Sequence, residues 1–227
     1  LTITAGSDAY KVHKNIVCER ARFLTRAVKS GGQETQTGTI DLPEDEPELV
    51  KLFIKYIYEG EYEPALTADD LQAITTTVSS TKPEREQSSR PMTLYFLISV
   101  LVGTAECTTP PVTSIQGEAY QLLIHTKMYE IGDKYDVVGL MDLLKEKFNR
   151  PCKRFRTTLE FPAAAYHTFS TTIEANNGLR DPVSETISEH MELAEEPEVR
   201  ILLKQFSGLA FGILDAKIKG HGWGKKK

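Results

Sequence analysis

The stretch Tyr10-Lys11-Val12-His13-Lys14-Asn15-Ile16-Val17-Cys18-Glu19-Arg20-Ala21-Arg22-Phe23-Leu24 restricts the fold more than any other, because its hydrophobic period changes within it. Tyr10 and Val12 alternate with Lys11 and His13, the period of a half-buried strand, and from Lys14 on Ile16, Val17, Cys18 and Ala21 follow helical spacing. A strand that runs directly into a helix is expected. A second helical pattern, Phe23, Leu24, Ala27 and Val28, stops at Ser30-Gly31-Gly32, where glycine closes the helix.

The neighbouring segments extend this plan. Leu1 and Ile3 alternate with threonines, and Ala5-Gly6-Ser7-Asp8 is turn chemistry, so Leu1 to His13 is predicted to form a hairpin. Thr39-Ile40-Asp41-Leu42-Pro43 reads as a third strand. Pro47 and the carboxylates around it suit a helix N-terminus, and Leu49, Val50, Leu52, Phe53, Tyr56 and Ile57 then mark a core-facing helix that leaves Lys51 and Lys55 outside and ends at Glu59-Gly60-Glu61-Tyr62. A further helix is expected over 119–133, closing on Gly132-Asp133-Lys134-Tyr135, and another from Val137 with Val138, Met141, Leu144 and Phe148 on its apolar side. From Pro151 the pattern predicts a helix ending near Thr171, a loop at Asn176-Asn177-Gly178, a helix through Val183, Ile187, His190 and Met191, and one continuous helix over 198–219. Residues 220–227 are expected to form a flexible tail.

Composition limits the function. With 27 Lys and Arg against 32 Asp and Glu, the formal charge is −5, which argues against a general attraction to nucleic acid or an anionic membrane. Cys18, Cys107 and Cys152 are far apart with no Cys-x-x-Cys pair, so they read as core thiols of a protein in a reducing compartment, without disulfide framework or zinc site. The chain opens at Leu1 inside a strand, with no initiator Met and no signal-peptide pattern, and reads as a truncated piece.

No catalytic signature stands out. Cys152, His167 and Asp181 could be combined into a thiol hydrolase, and His190 with Glu192 into a metal site, but a glycine-rich nucleophile turn, a His-Glu-x-x-His pair and a phosphate loop are all missing. Two basic clusters, Lys145, Lys147, Arg150, Lys153, Arg154 and Arg156, and Lys217, Lys219 and Lys225 to Lys227, could suggest nucleic-acid binding, but the first is interspersed with Asp142 and Glu146 and lacks stacking aromatics beyond Phe148 and Phe155, so a solvated helix face is the reading. No small-molecule substrate, cofactor or metal is expected.

The order of elements, with Tyr10-Lys11-Val12-His13-Lys14 leading into Ile16-Val17 and Phe23, then Phe53-Ile54-Lys55-Tyr56-Ile57-Tyr58-Glu59-Gly60-Glu61-Tyr62, then Tyr129-Glu130-Ile131-Gly132-Asp133-Lys134-Tyr135, resembles a BTB/POZ domain. It is most similar to BTB proteins of filamentous fungi that carry a short helical extension. The resemblance implies an α+β fold, a small and mainly antiparallel sheet flanked by a cluster of helices, over 1–150, followed by an all-α extension over 151–219. His13, Lys14, Tyr56, Tyr58, Gly60, Tyr129, Asp133, Lys134 and Tyr135 are then family structural markers. His13 is expected to satisfy local backbone groups, the four tyrosines to pack in or beside the core, and Asp133 to help end its helix.

What the resemblance implies for function is a non-catalytic interaction module with protein partners, cytoplasmic or nuclear, homodimeric through the first strand and the helix after His13. Leu1, Ile3, Ile16, Val17, Arg20, Phe23 and Leu24 are the candidates to pack within or beneath that interface, and Lys51, Lys55, Glu59 and Tyr62 to face a partner. The Ser-Asp that usually precedes the first strand in the family is absent before Leu1, which implies a weakened dimer. One implied partner is Cullin-3, with the chain as a ubiquitin ligase adaptor; the alternative is a self-associating scaffold or transcriptional co-regulator.

The interval 65–117 departs from the family, whose loop here is much shorter. Its uncharged run from Pro91 to Ala105 would span only about 22 Å as a helix, short of the roughly 30 Å of a hydrocarbon core. A translated intron over 78–116 is the expectation: the composition changes abruptly, Thr77 and Gly117 rejoin naturally, and Val78-Ser79 and Ile115-Gln116 can be encoded by GTAAGT and ATACAG, which match splice signals. Transcripts that uniformly keep the interval would overturn it.

Overall fold

A computed structural model describes residues 1–30, 32–64 and 119–222. The interval 65–117 with its proposed intron, Cys107 and the last residues of the expected tail lie outside the described residues. The element order is β1 (Thr2–Ala5), β2 (Asp8–Lys11), α1 (Lys14–Arg20), α2 (Arg22–Lys29), α3 (Gln33–Thr37), β3 (Thr39–Asp41), α4 (Pro47–Glu59), α5 (Gln121–Lys134), α6 (Leu140–Arg154), α7 (Glu160–Thr171), α8 (Arg180–Glu189), a 3-10 turn (Met191–Glu195), α9 (Pro197–Gln205) and α10 (Ser207–His221). The fold is α+β with an all-helical C-terminal region.

Gly6, at φ +55°, turns β1 back onto β2, and the hairpin is antiparallel with Ile3 opposite Tyr10. On its other side β1 pairs in parallel with β3, Ile3 opposite Ile40, so the sheet order is β2-β1-β3. The sheet is therefore mixed rather than mainly antiparallel, because the chain crosses over through α1, α2 and α3 before β3 returns beside β1. Ile3, Ala5 and Ile40 face the core together with Val17, Leu24 and Val50.

The two short helices expected after His13 are present as α1 and α2, and other helix ends differ from expectation where packing overrides local signals. Ala21, extended at φ −119° and ψ 101°, separates α1 from α2 although no glycine or proline marks it. It makes an antiparallel bridge to Val137, flanked by the Val138 amide donating to the Arg20 carbonyl at 2.9 Å and the Phe23 amide donating to the Tyr135 carbonyl at 3.2 Å. Phe206 breaks the expected continuous helix over 198–219 in the same way, and its ring packs edge-on against Tyr166 at 5.7 Å and lies 5.9 Å from Phe169. α5 ends at Lys134, within the Gly132-Asp133-Lys134-Tyr135 stretch expected to close it, but Pro151 lies inside α6 rather than opening the next helix. α10 continues through Gly220 and His221 before Gly222 closes it at φ +69°, so those two residues are helix rather than flexible tail.

The loop before α8 is seated on α5. Tyr129 is fully buried and its hydroxyl donates to Asn176 Oδ1 at 2.6 Å, which also accepts the Gly178 amide at 3.3 Å. A methyl group on Gly178 would stand 2.0 Å from the Tyr129 hydroxyl oxygen and 2.7 Å from Lys145 Cε. Gly178→Ala is expected to lower unfolding free energy by about 1–3 kcal/mol in a urea titration, through overpacking of a buried hydroxyl that has no other place to go.

Candidate protein-interaction surface

The Ala21 junction brings the start of the chain against the α5–α6 turn, and four large side chains remain exposed around it: Ile16 at 37%, Phe23 at 40%, Tyr58 at 40% and Val138 at 49%. Their backbones are fixed from beneath. Phe23 packs edge-on against Tyr135 at 5.4 Å, and Tyr135 stacks on Phe53 at 5.6 Å. The Tyr135 hydroxyl donates to Asp45, which also receives Lys134 at 3.0 Å, and these contacts hold the lysine charged: burial pulls its pKa down, but the Asp45 hydrogen bond and charge raise it above its ordinary value. Tyr58 is anchored because the His13 amide donates to its hydroxyl oxygen at 2.7 Å while His13 Nδ1 lies 2.9 Å from the same oxygen. The His13 ring thus meets a tyrosine hydroxyl, where a backbone group was expected.

The residues named for a dimer surface fall into separate layers. Ile16 and Phe23 are exposed, Arg20 and Leu1 are half-buried, and Val17, Leu24 and Ile3 are fully buried. Arg20 lies beside Tyr56, whose hydroxyl donates to the Val138 carbonyl at 3.0 Å; burial raises the Tyr56 pKa and the Arg20 charge opposes that rise. The first strand cannot offer an edge to a second chain, because β1 is central and both of its ladders are occupied. Ile3 is fully buried and belongs to the layer beneath this surface. Val138 is the residue the sequence misplaced. Read as the inward side of a helix, it precedes α6, which starts at Leu140, and its side chain is outside.

The exposed face of α4 carries Lys51, Lys55 and Glu59, the last two paired at 3.8 Å. Lys14 at the start of α1 is exposed too, and Gly60 ends α4 at φ +70°. Tyr62, expected on the partner face, is fully buried because the chain turns inward after Gly60. Its hydroxyl pairs with Nδ1 of buried His125, the Lys147 ammonium donates to its carbonyl at 2.9 Å and to Glu61 at 2.7 Å, and the same ammonium sits 5.1 Å over its ring. Burial first, then the Lys147 charge, lowers the His125 pKa to about 4. A neutral imidazole therefore shares the hydrogen bond with the tyrosine hydroxyl. Asp133 is exposed and contributes to its helix end through its carbonyl, which accepts the Asp136 amide at 3.2 Å.

Residues that tempt a chemical reading are engaged elsewhere. Cys152 is buried against Thr186, 3.4 Å away, and burial pushes its thiol up to about 12, so no thiolate forms. His167 Nε2 faces Glu130 at 3.0 Å, and His190 faces Glu192 at 3.3 Å; among the described residues no group of His, Cys, Asp and Glu could hold a metal ion. Three lysines of the basic cluster are already paired: Lys145 with Asp142, Lys147 with Glu61 and Lys153 with Glu189. Among the described residues no helix is long and apolar enough to cross a membrane.

The hairpin runs into a short helix, β3 returns parallel beside β1, and Ile16, Phe23, Tyr58 and Val138 are left exposed. Residues 1–80 match the BTB/POZ domain. A BTB/POZ domain is a protein-protein interaction module, generally non-catalytic, and the match includes Ile16, Phe23, Tyr58 and every residue of the sheet. Val138 lies outside the matched residues. No curated protein matches the chain.

Proposed function

We propose that this chain is a self-associating interaction module in which Ile16, Phe23, Tyr58 and Val138 form the contact between two copies, and that it recruits further proteins while doing no chemistry itself. The observation that carries this reading is the exposure of four large apolar or aromatic side chains on backbone fixed by hydrogen bonds and aromatic stacking. Rigid, half-exposed anchors lose little conformational freedom on association, which is what makes residues of this kind dominate interfaces. A BTB/POZ unit over 1–150 followed by a helical extension over 151–219, cytoplasmic or nuclear, is the organisation we assign.

Recruitment is open to two forms, an adaptor for a Cullin-3 ubiquitin ligase and a scaffold or transcriptional co-regulator. The solvent face of α4, with Lys51, Lys55 and Glu59, is the surface available to Cullin-3 in the first. A pull-down of purified Cullin-3 by the full chain separates them: capture that is lost on Lys51→Glu/Lys55→Glu supports the adaptor, and no capture leaves the scaffold.

A further inference from the structure

The C-terminal helices carry a surface separate in sequence from the residues proposed for self-association. α8 and α10 pack with unusual closeness where Ser184 meets Gly212: a Cβ on Gly212 would lie 2.4 Å from the serine oxygen. One turn earlier Gly208 lies under Arg180, whose Nη1 would be 3.3 Å from a Cβ there. These glycines leave a cleft of about 390 Å³ between the helices.

Arg180 forms its floor. Only 9% of the residue is exposed, its Nε donates to Thr172 Oγ1 at 2.9 Å, and its Nη2 donates to the carbonyls of Phe169 and Thr172. Nη1 also lines the cleft but makes no hydrogen bond among the described residues, and no carboxylate is ion-paired to this guanidinium. Nη1 is not a buried orphan; it is a donor open to the solvent of the cleft, where an entering acceptor can replace water. The lips have the opposite character, since Glu174 and Asp181 line them and are exposed. Phe211 flanks the opening with 70% of its surface in solvent, and Leu214 follows it on α10 at 54%.

We infer that this cleft docks a basic, apolar peptide segment of another protein. A backbone carbonyl of the segment accepts from Arg180 Nη1, an apolar side chain covers Phe211, and Lys or Arg side chains meet Glu174 and Asp181. The two carboxylates at the lips select against a phosphate or an acidic segment, because like charges at the entrance repel it. Stripping solvent from Phe211 supplies the apolar part of the affinity.

The test is fluorescence anisotropy of a labelled synthetic peptide alternating lysine with leucine, titrated with the full chain, beside the same peptide with glutamate for lysine. Saturable binding of the lysine peptide is expected, weakened about tenfold or more by Glu174→Lys/Asp181→Lys and likewise by Phe211→Ser, with no binding of the glutamate peptide. All three residues are exposed, so the variants keep the fold. Equal binding of both peptides, an affinity untouched by these substitutions, or failure of the lysine peptide to bind overturns the inference.

Discussion

Ile16→Glu/Phe23→Glu is expected to convert the chain to a monomer, with a dissociation constant for self-association raised by at least about a hundredfold. Both side chains are more than a third exposed in the single chain, at 37% and 40%, so carboxylates there stay hydrated and the fold is retained. In a dimer the same carboxylates would be stripped of water among apolar neighbours without partners, and that penalty falls entirely on association. The contrast with the layer beneath is the internal control. Leu24→Ala removes a fully buried side chain and is expected to cost about 2–5 kcal/mol of folding stability, read as a lowered urea midpoint, while circular dichroism of the double glutamate variant stays that of the parent.

The second large effect is acid lability centred on His125. Its pKa in the folded chain is about 4, against 6.5 for a free imidazole, because burial disfavours the cation. Between those values the unfolded chain binds a proton that the folded chain refuses, so the contribution is fully present above pH 6.5, falls as pH drops through this window and levels off below about 4. The 1.36 kcal/mol that accompanies each pKa unit makes the loss about 3 kcal/mol. Depressed carboxylates lose their stabilisation in a lower window, below the ordinary value of 4.5: Glu130 is held down by the His167 hydrogen bond, and Glu61, which burial would raise, by its bond to Lys147. His125→Gln keeps a hydrogen-bonding side chain beside Tyr62 without a titrating ring. Urea unfolding between pH 7 and pH 4.5 should therefore lose much less stability in this variant than in the parent, and equal losses would remove His125 as the cause.

Much of the fold is legible from local sequence because the signals there are local. The change of period at Lys14, the turn around Gly6 and the lysines outside α4 all follow from hydrophobic spacing and glycine. The division of α1 from α2 was visible as two helical patterns, but the extended residue between them and the break at Phe206 were not, for the opposite reason. Ala21 and Phe206 are ordinary helix residues by propensity, and each is pulled into an extended conformation by a distant partner, Val137 in one case and the Tyr166 and Phe169 rings in the other. α3 was missed because Gln33-Glu34-Thr35-Gln36-Thr37 has no apolar period, and it is tied instead by the Thr35 hydroxyl donating to the Val28 carbonyl at 2.7 Å.

The proposed interaction surface was legible in part. Ile16 and Phe23 were found because they lie in the stretch with the sharpest pattern, but their neighbours Val17 and Leu24 share that pattern and point inward, a distinction that only the packing of the helices makes. Val138 enters the cluster through the bridge at Ala21, far away in sequence, and Tyr62 leaves the partner face through the buried contact with His125. Arg180 gave no signal at all, since a single arginine before a helix is unremarkable until the glycines of α10 are placed against it.

Sedimentation equilibrium of the full chain over a concentration series tests self-association most directly. The account predicts a mass of twice the 25.4 kDa of one chain at tens of micromolar, dissociating on dilution and absent in Ile16→Glu/Phe23→Glu. A single-chain mass across the series, or an unchanged dimer in the double variant, would contradict it.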